Sequence, residues 1–271
     1  MSVPPAHHAR GTSSGPDAPP PVPRRAWWER LPLVLAAAIA AFVGVQGWRV
    51  REPRPPAPSP GATPAADVDA ATAATAARAA RLAVARARLR TDSAGTYIAA
   101  MLGGDALVVR WPEGGNAVSV WVQPRTTVRD WYPRDVAIAR DAFGAWGGVV
   151  PLRFHFTNDS AAAAVRVRWT DRLANDEQVG QNRLEYQPDG VVVGADVTLA
   201  VHDPRGRTLT PDVLRLIALH EVGHAIGLAH SPAAGDVMAA RTDGRARGLS
   251  AADIATARLL YALPAGRVDG R

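Results

Sequence analysis

The sequence predicts a mixed α/β domain of the α+β type over residues 93–264, preceded by a long segment of different character. Three observations predict it. Residues 118–122, 152–156, 165–169 and 191–201 are short stretches rich in β-branched and apolar residues, as strands require. Residues 133–146, 210–227 and 250–261 space their apolar residues as helices do. Composition also changes along the chain: residues 1–90 hold 12 Arg against 5 acids, whereas residues 91–271 hold 19 Arg against 20 acids. The net charge of +6 therefore belongs to the N-terminal third and not to the folded part.

Each element has a local cause. Val118, Val120 and Val122 alternate with Ser119 and Trp121, the period of a half-buried strand. The first helix of the domain follows Pro133 and presents Val136, Ala137, Phe143 and Trp146 to a core. Residues 152–156 and 165–169 are two more strands, and residues 191–201 are strand-like around Gly194. A second helix starts after Thr210, with Pro211 at its first position and Asp212 in its first turn, and runs to about Gly227. The last helix starts at Ser250, where Asp253 completes a capping-box pattern, and continues through Ile254, Ala257, Leu260 and Tyr261.

The N-terminal segment divides by composition. Residues 1–26 are a Pro-, Gly- and Ser-rich tail with little to bury. Residues 31–48 carry no charge; as a helix they would span about 27 Å, close to the roughly 30 Å of a bilayer's hydrocarbon core. With Trp27 and Trp28 at one end and Trp48 at the other, residues 27–50 are expected to be a transmembrane anchor. The absence of a small-x-small cleavage site points to an uncleaved anchor. Arg24, Arg25 and Arg30 before it balance Arg49, Arg51 and Arg54 after it, so charge does not set orientation. Residues 51–66 are a Pro/Ala linker and residues 67–92 an Ala/Arg-rich stalk helix, whose Leu82, Val84 and Leu89 are too sparse for a core. Arg78, Arg81, Arg86, Arg88 and Arg90 offer the alternative of contact with lipid headgroups. Residues 265–271 are a tail.

There is no Lys and no Cys. Arg spread along an Ala-rich chain is a coding bias rather than a basic stripe, so no nucleic-acid partner is expected. Without Cys there are no disulfides or thiolate metal sites, and any metal must be held by His and carboxylates.

Residues 220–230 read His-Glu-Val-Gly-His-Ala-Ile-Gly-Leu-Ala-His. His220 and His224, four apart, share one face of a helix and can offer imidazole nitrogens to one ion. Glu221 sits beside the first ligand, where its carboxylate reaches a zinc-bound water rather than the zinc. Gly227 allows the helix to stop and the chain to turn back, bringing His230 round as a third ligand at a distance expected to be about 2.0–2.1 Å. A fourth position is left for water. The full pattern arises by chance with a probability on the order of 10⁻⁷ per position at average composition.

This pattern resembles the metzincin metallopeptidases, whose second signature is a methionine turn beneath the zinc; here Met238 follows His230 by eight residues, within Asp236-Val237-Met238. Ser231, residues 249–254 with Leu260-Tyr261, and residues 142–146 with 151–154 are similar to the matrixin branch, so the resemblance covers about residues 97–263. It implies a mixed, mostly parallel twisted sheet with an active-site helix and a C-terminal helix. It also implies one catalytic Zn²⁺ held by His220, His224 and His230, Glu221 as general base, Gly227 and Met238 in support, and hydrolysis of peptide bonds. The substrate is expected to pair as an extended strand with an edge strand between about residues 183 and 193. Ca²⁺ is compatible with the resemblance, but no motif of this sequence assigns it.

The departures matter too. A cysteine-based latency switch is excluded. The second, structural zinc of animal members has no His/Asp cluster here, only His155 and His202, both expected to be structural or surface residues. Ala239 and Ala240 replace the Tyr and Pro usually found after the methionine, which alters a wall of the substrate pocket. Among rival readings, an intramembrane protease conflicts with Asp212 and Arg215 on the motif helix. A membrane-anchored zinc-binding module without turnover would not need Glu221. Topology follows from function: a single span, the N-terminus cytoplasmic, and the catalytic domain outside the cytoplasm acting on extracytoplasmic proteins.

Overall fold

A computed structural model describes residues 46–50, 64–103, 106–113, 117–174, 178–241 and 244–268. Strands β1 (Gln46–Val50), β3 (Ala117–Val122), β4 (Arg153–Phe156), β5 (Val165–Thr170), β6 (Gly180–Tyr186) and β7 (Val192–Ala200) form one twisted sheet in the order β1-β6-β7-β5-β3-β4. The pairs β3/β4, β3/β5 and β5/β7 are parallel, whereas β6 runs antiparallel to β7. A two-stranded ribbon joins β2 (Leu107–Val108) to β8 (Gly266–Arg267). The mostly parallel α/β architecture agrees with the expected fold class.

Alternation builds the sheet's core face. In β5, Val165, Val167 and Trp169 are buried while Arg166 and Arg168 point outward and pair with Asp196 of β7 at 2.8 Å. The helices α3 (Pro133–Gly147) and α4 (Pro211–Ala225) pack on each other and on this sheet, α3 near β3 and β4, α4 near β6 and β7. Phe143 and Trp146 of α3 and Ile217 of α4 are fully buried. Thr210 caps α4 by accepting from Val213 N–H, with Pro211 at its start. The final helix α5 (Ala251–Ala262) has the capping box expected from Ser250 and Asp253.

The N-terminal segment differs from expectation in two ways. Most of the expected anchor, residues 31–45, lies outside the described residues. Its far end does not: Gln46, Gly47 and Trp48 are extended in β1, so a helix does not run to Trp48. Uncharged length alone cannot separate a spanning helix from a strand that finds an edge to pair with. No helix among the described residues is long and apolar enough to cross a membrane.

The expected stalk is the helix α1 (Pro64–Thr91), and its C-terminal half lies on the domain rather than standing clear of it. Ala85 is fully buried, Leu89 packs against the core, Arg86 Nε donates to the Val268 carbonyl at 3.0 Å, and Arg88 donates to the Ala262 carbonyl. A small residue lets the helix approach closely, so sparse large apolar residues do not prevent docking. These two arginines therefore bind carbonyls at the end of the chain, not lipid headgroups. A short helix α2 (Ile98–Leu102) leads from α1 into the domain.

His155 is exposed on β4, whereas His202 is buried between two carboxylates, Nε2 2.9 Å from Asp130 and Nδ1 2.7 Å from Asp171. The latter ties the end of β7 to the loops before α3 and after β5. Both histidines stand apart from the histidine motif.

Candidate active site

α4 ends where the sequence says it should. Gly227 has φ +104°, its N–H bonds to the His224 carbonyl at 2.9 Å, and the Leu228 N–H bonds back to the Gly223 carbonyl at 3.0 Å. This is the two-bond glycine cap that satisfies the last carbonyls of a helix. A Cβ at position 227 would also overlap the Val109 carbonyl oxygen, so glycine is required for space as well as for conformation. Side chains from elsewhere in the chain take the carbonyls of Ala225 and Ile226 at the end of the helix, and that of Leu219 within it. Trp111 Nε1 donates to Ala225 O (2.9 Å), Tyr261 OH to Ile226 O (2.9 Å) and Trp146 Nε1 to Leu219 O (2.8 Å). α4 is thereby fixed along the length that carries the motif.

The turn at Gly227 brings His230 to the other two histidines. His224 Nε2 lies 2.9 Å from His220 Nε2 and 3.2 Å from His230 Nε2. Carbonyls fix two of the rings: His220 Nδ1 donates to Val237 O and His224 Nδ1 to Leu228 O, both at 2.7 Å. With the proton held on Nδ1, the Nε2 lone pairs of both rings point into one space. Burial pushes the His220 value well below that of an ordinary histidine, assisted by the neighbouring His224. It takes His224 down to about 3, with His230 contributing, and it lowers His230 as well. Neutral imidazoles with converging lone pairs and no proton between them are a ligand set for a cation. Their spacing is close to the roughly 3.3 Å edge of a tetrahedron whose corners lie about 2.0 Å from its centre. The three histidines fit a zinc ion, and they are the cluster among the described residues that could hold a metal.

Glu221 turns toward the sheet. It is 1 % exposed, its Oε2 has no hydrogen-bond partner among the described residues, and burial holds its carboxyl well above the ordinary glutamate range. β6 forms its wall. A Cβ on Gly180 would overlap the Glu221 carboxylate, and Asn182 Nδ2 reaches the Glu221 carbonyl at 3.5 Å. Any side chain at position 180 would displace the carboxylate, so this glycine belongs to the site.

Met238 lies beneath the histidines as expected. It is fully buried, and a Cβ on Gly223 would overlap its sulfur; the methionine thus packs directly on the α4 backbone between Glu221 and His224. The loop from His230 to Met238 closes through Ser231 N–H to Met238 O at 2.8 Å, and Ser231 Oγ donates to Asp236 at 2.5 Å. Asp253, at the start of α5, holds this loop from below. Its carboxylate accepts from Val237 N–H (2.9 Å), Ser250 N–H (2.9 Å), Met238 N–H (3.4 Å) and Tyr97 OH (3.2 Å). Since Val237 O accepts from His220 Nδ1 and the N–H of the same peptide group, that of Met238, donates to Asp253, one peptide group connects the Asp253 carboxylate to the first histidine of the motif.

The structure thus brings together all of His220, Glu221, His224, Gly227, His230 and Met238. Sequence reasoning missed Gly180, Gly223 and Trp111, and it read Tyr261 and Asp253 as parts of the C-terminal helix, Asp253 as its cap, without their contacts to the active-site helix and the methionine loop. The strand expected between about residues 183 and 193 is β6, which starts earlier, at Gly180, and ends at Tyr186; it is not the edge that was expected, because β1 pairs with its outer side. Val192 and Val193 belong instead to β7, inside the sheet.

Residues 128–262 match the matrixin family model. No curated protein matches the chain. The match spans α3 to the end of α5, and therefore the three histidines, the glutamate, the glycine turn and the methionine beneath them. The C-terminal domain of this chain belongs to the matrixins, metallopeptidases of the metzincin type.

Proposed function

We propose that the chain is a zinc-dependent endopeptidase in which His220, His224 and His230 hold the ion and Glu221 is the general base. The observation that carries the reading is the convergence of three imidazole Nε2 atoms next to a buried carboxylate oxygen without a partner. When bound, zinc supplies Lewis acidity for a carbonyl and makes a water acidic near neutral pH. The protein's own part follows from the geometry. Val237 O and Leu228 O hold His220 and His224 in the ligating tautomer. Glu221 accepts the proton of the attacking water at its unpartnered Oε2, and the resulting acid donates that proton to the departing amine.

An extended substrate pairing through its backbone along the outer side of β6 takes the place that β1 holds over residues 182–186. Gly180 and Asn182 join β6 to Glu221, so a peptide on this edge is carried past the base. Backbone pairing selects extended, unfolded segments. With Ala239 and Ala240 after the methionine, the adjoining wall presents small side chains.

The test is hydrolysis of an unfolded protein by the full chain in detergent, with and without chelator. Internal cleavage that stops on chelation is expected; trimming from the ends alone would contradict an endopeptidase. We further infer an extracytoplasmic catalytic domain with the N-terminus inside, because a peptidase of this family tethered by one span works outside the cytoplasm; the uncharged residues that precede β1, 31–45, are the stretch left for such a span. Reporters fused to each end should place the C-terminal one outside the cytoplasm, and a cytoplasmic C-terminal reporter would overturn this topology.

A further inference from the structure

Two of the arginines of α1, Arg86 and Arg88, are held by the carbonyls of Val268 and Ala262. Arg78 and Arg81, earlier on the same helix, are exposed and make no hydrogen bond or ion pair among the described residues. They are not scattered over the surface. Both line one cleft of about 390 Å³ between α1 and the domain, and Arg267 of β8 lines it as well. Asp189 is the one carboxylate of that lining, and its Oδ1 accepts from the Val191 N–H at 3.1 Å. The cleft therefore gathers three positive charges against one negative.

The domain side of the cleft is preformed. Gly266 pairs with Val108 and Arg267 with Leu107, and a Cβ on Gly266 would come within 3.1 Å of the Asp189 carbonyl oxygen, so the turn before β7 and the strand β8 pack backbone against backbone. On the other side, Arg78 and Arg81 are three apart and so neighbours on one helix face, where like charges weaken a helix unless something neutralises them. A hollow lined by one sign of charge concentrates ions of the other. Guanidinium forks match the oxygens of phosphates and carboxylates, and the surplus of two charges chooses between these. A phosphate monoester carries nearly two negative charges at pH 7 and three acceptor oxygens, whereas a carboxylate carries one charge on two oxygens. The volume lies in the range of small-molecule sites, and Leu82 and Pro264 give the cleft an apolar side for the group that bears the phosphate.

We propose that this cleft binds a phosphate monoester, free in solution or on a lipid headgroup, through Arg78 and Arg81 of α1 and Arg267 of the domain. The three arginines lie outside residues 128–262, the part that matches the matrixin model, and none belongs to the zinc site. The ligand bridges the two walls, so it fastens α1 to the domain ahead of the contacts that Ala85, Arg86 and Arg88 make. The site stands whether or not the chain cleaves peptides.

The test is calorimetric titration of the full chain, in uncharged detergent and phosphate-free buffer, with glycerol 3-phosphate and, for comparison, acetate. Saturable binding of one glycerol 3-phosphate per chain is expected, with acetate weaker by about tenfold or more. R78A together with R81A should weaken it by about tenfold or more, the loss of at least one charge-assisted bond, and R267A on the opposite wall should do the same. R90A removes an exposed arginine of α1 that does not line the cleft and should leave the affinity unchanged. No saturable binding by the parent, equal affinity in the parent and the double variant, or an equal loss in R90A would overturn the proposal. Hydrogen exchange at residues 78–82 should slow when glycerol 3-phosphate is added to the parent and not when it is added to the double variant. Dihexanoyl phosphatidic acid, which carries the same phosphate on a lipid, identifies the source: affinity at least equal to that of glycerol 3-phosphate assigns the site to a headgroup, and affinity about tenfold weaker assigns it to a free ester.

Discussion

Glu221→Gln lowers kcat by about 10²–10⁴-fold, the usual contribution of a general base, while zinc remains bound at one equivalent per chain. The substitution keeps the size of the side chain and its place against Gly180, and it leaves His220, His224 and His230 with their carbonyl partners. What disappears is an oxygen able to take a proton. An amide also needs no desolvation of charge in this buried position, so folding should be unharmed. Steady-state kinetics with metal analysis on the same sample measure both quantities. A variant retaining more than about a tenth of the parent kcat would remove Glu221 from the base's role.

Asp253→Ala destabilises the domain by on the order of 4 kcal/mol, because several buried donors lose a charged acceptor at once. Val237 N–H, Ser250 N–H and Tyr97 OH are left without it, as is the longer bond from Met238 N–H. Burial already raises the Asp253 carboxyl above the usual range, an effect that the N–H groups of Ser250 and Val237 oppose and the nearby Asp236 reinforces. The loss reaches the metal site as well: once Val237 is released, its carbonyl no longer fixes the His220 ring, and metal affinity should fall by about 10–100-fold, as for other supporting partners of metal ligands. Urea unfolding and competitive zinc titration read the two effects. A midpoint change equivalent to less than about 1 kcal/mol would contradict the role given to this carboxylate.

What could be read from the sequence was local. The histidine spacing, the glycine turn and the Ser250 capping box each lie within a dozen residues, and helix geometry alone relates their parts. The features that went unread are joined through the fold. Gly180 looks like any strand glycine until α4 brings Glu221 against it. Asp253 completes a cap by sequence and a floor for the methionine loop by tertiary contact. β6 gave no signal of its own, because its sequence, Gly-Gln-Asn-Arg-Leu-Glu-Tyr, has too few apolar residues for a period of two; only the family resemblance placed a strand near it, at about residues 183–193. Ladder bonds to β7, not hydrophobic alternation, make it a strand. The two-residue strands β2 and β8 fall below any periodicity. Residues 46–48 ended an uncharged run and so resembled the end of a span, but an available sheet edge is a tertiary fact that hydropathy does not contain.

Zinc reconstitution tests the central claim most directly. The full chain is stripped by chelator and titrated with Zn²⁺ while peptide hydrolysis is followed, beside His224→Ala treated in the same way. The account predicts that hydrolysis returns linearly and saturates at one zinc per chain, and that the His224 variant recovers neither stoichiometric zinc nor hydrolysis. Hydrolysis that survives complete removal of metal, or one zinc per chain bound with no peptide ever cleaved, would contradict it.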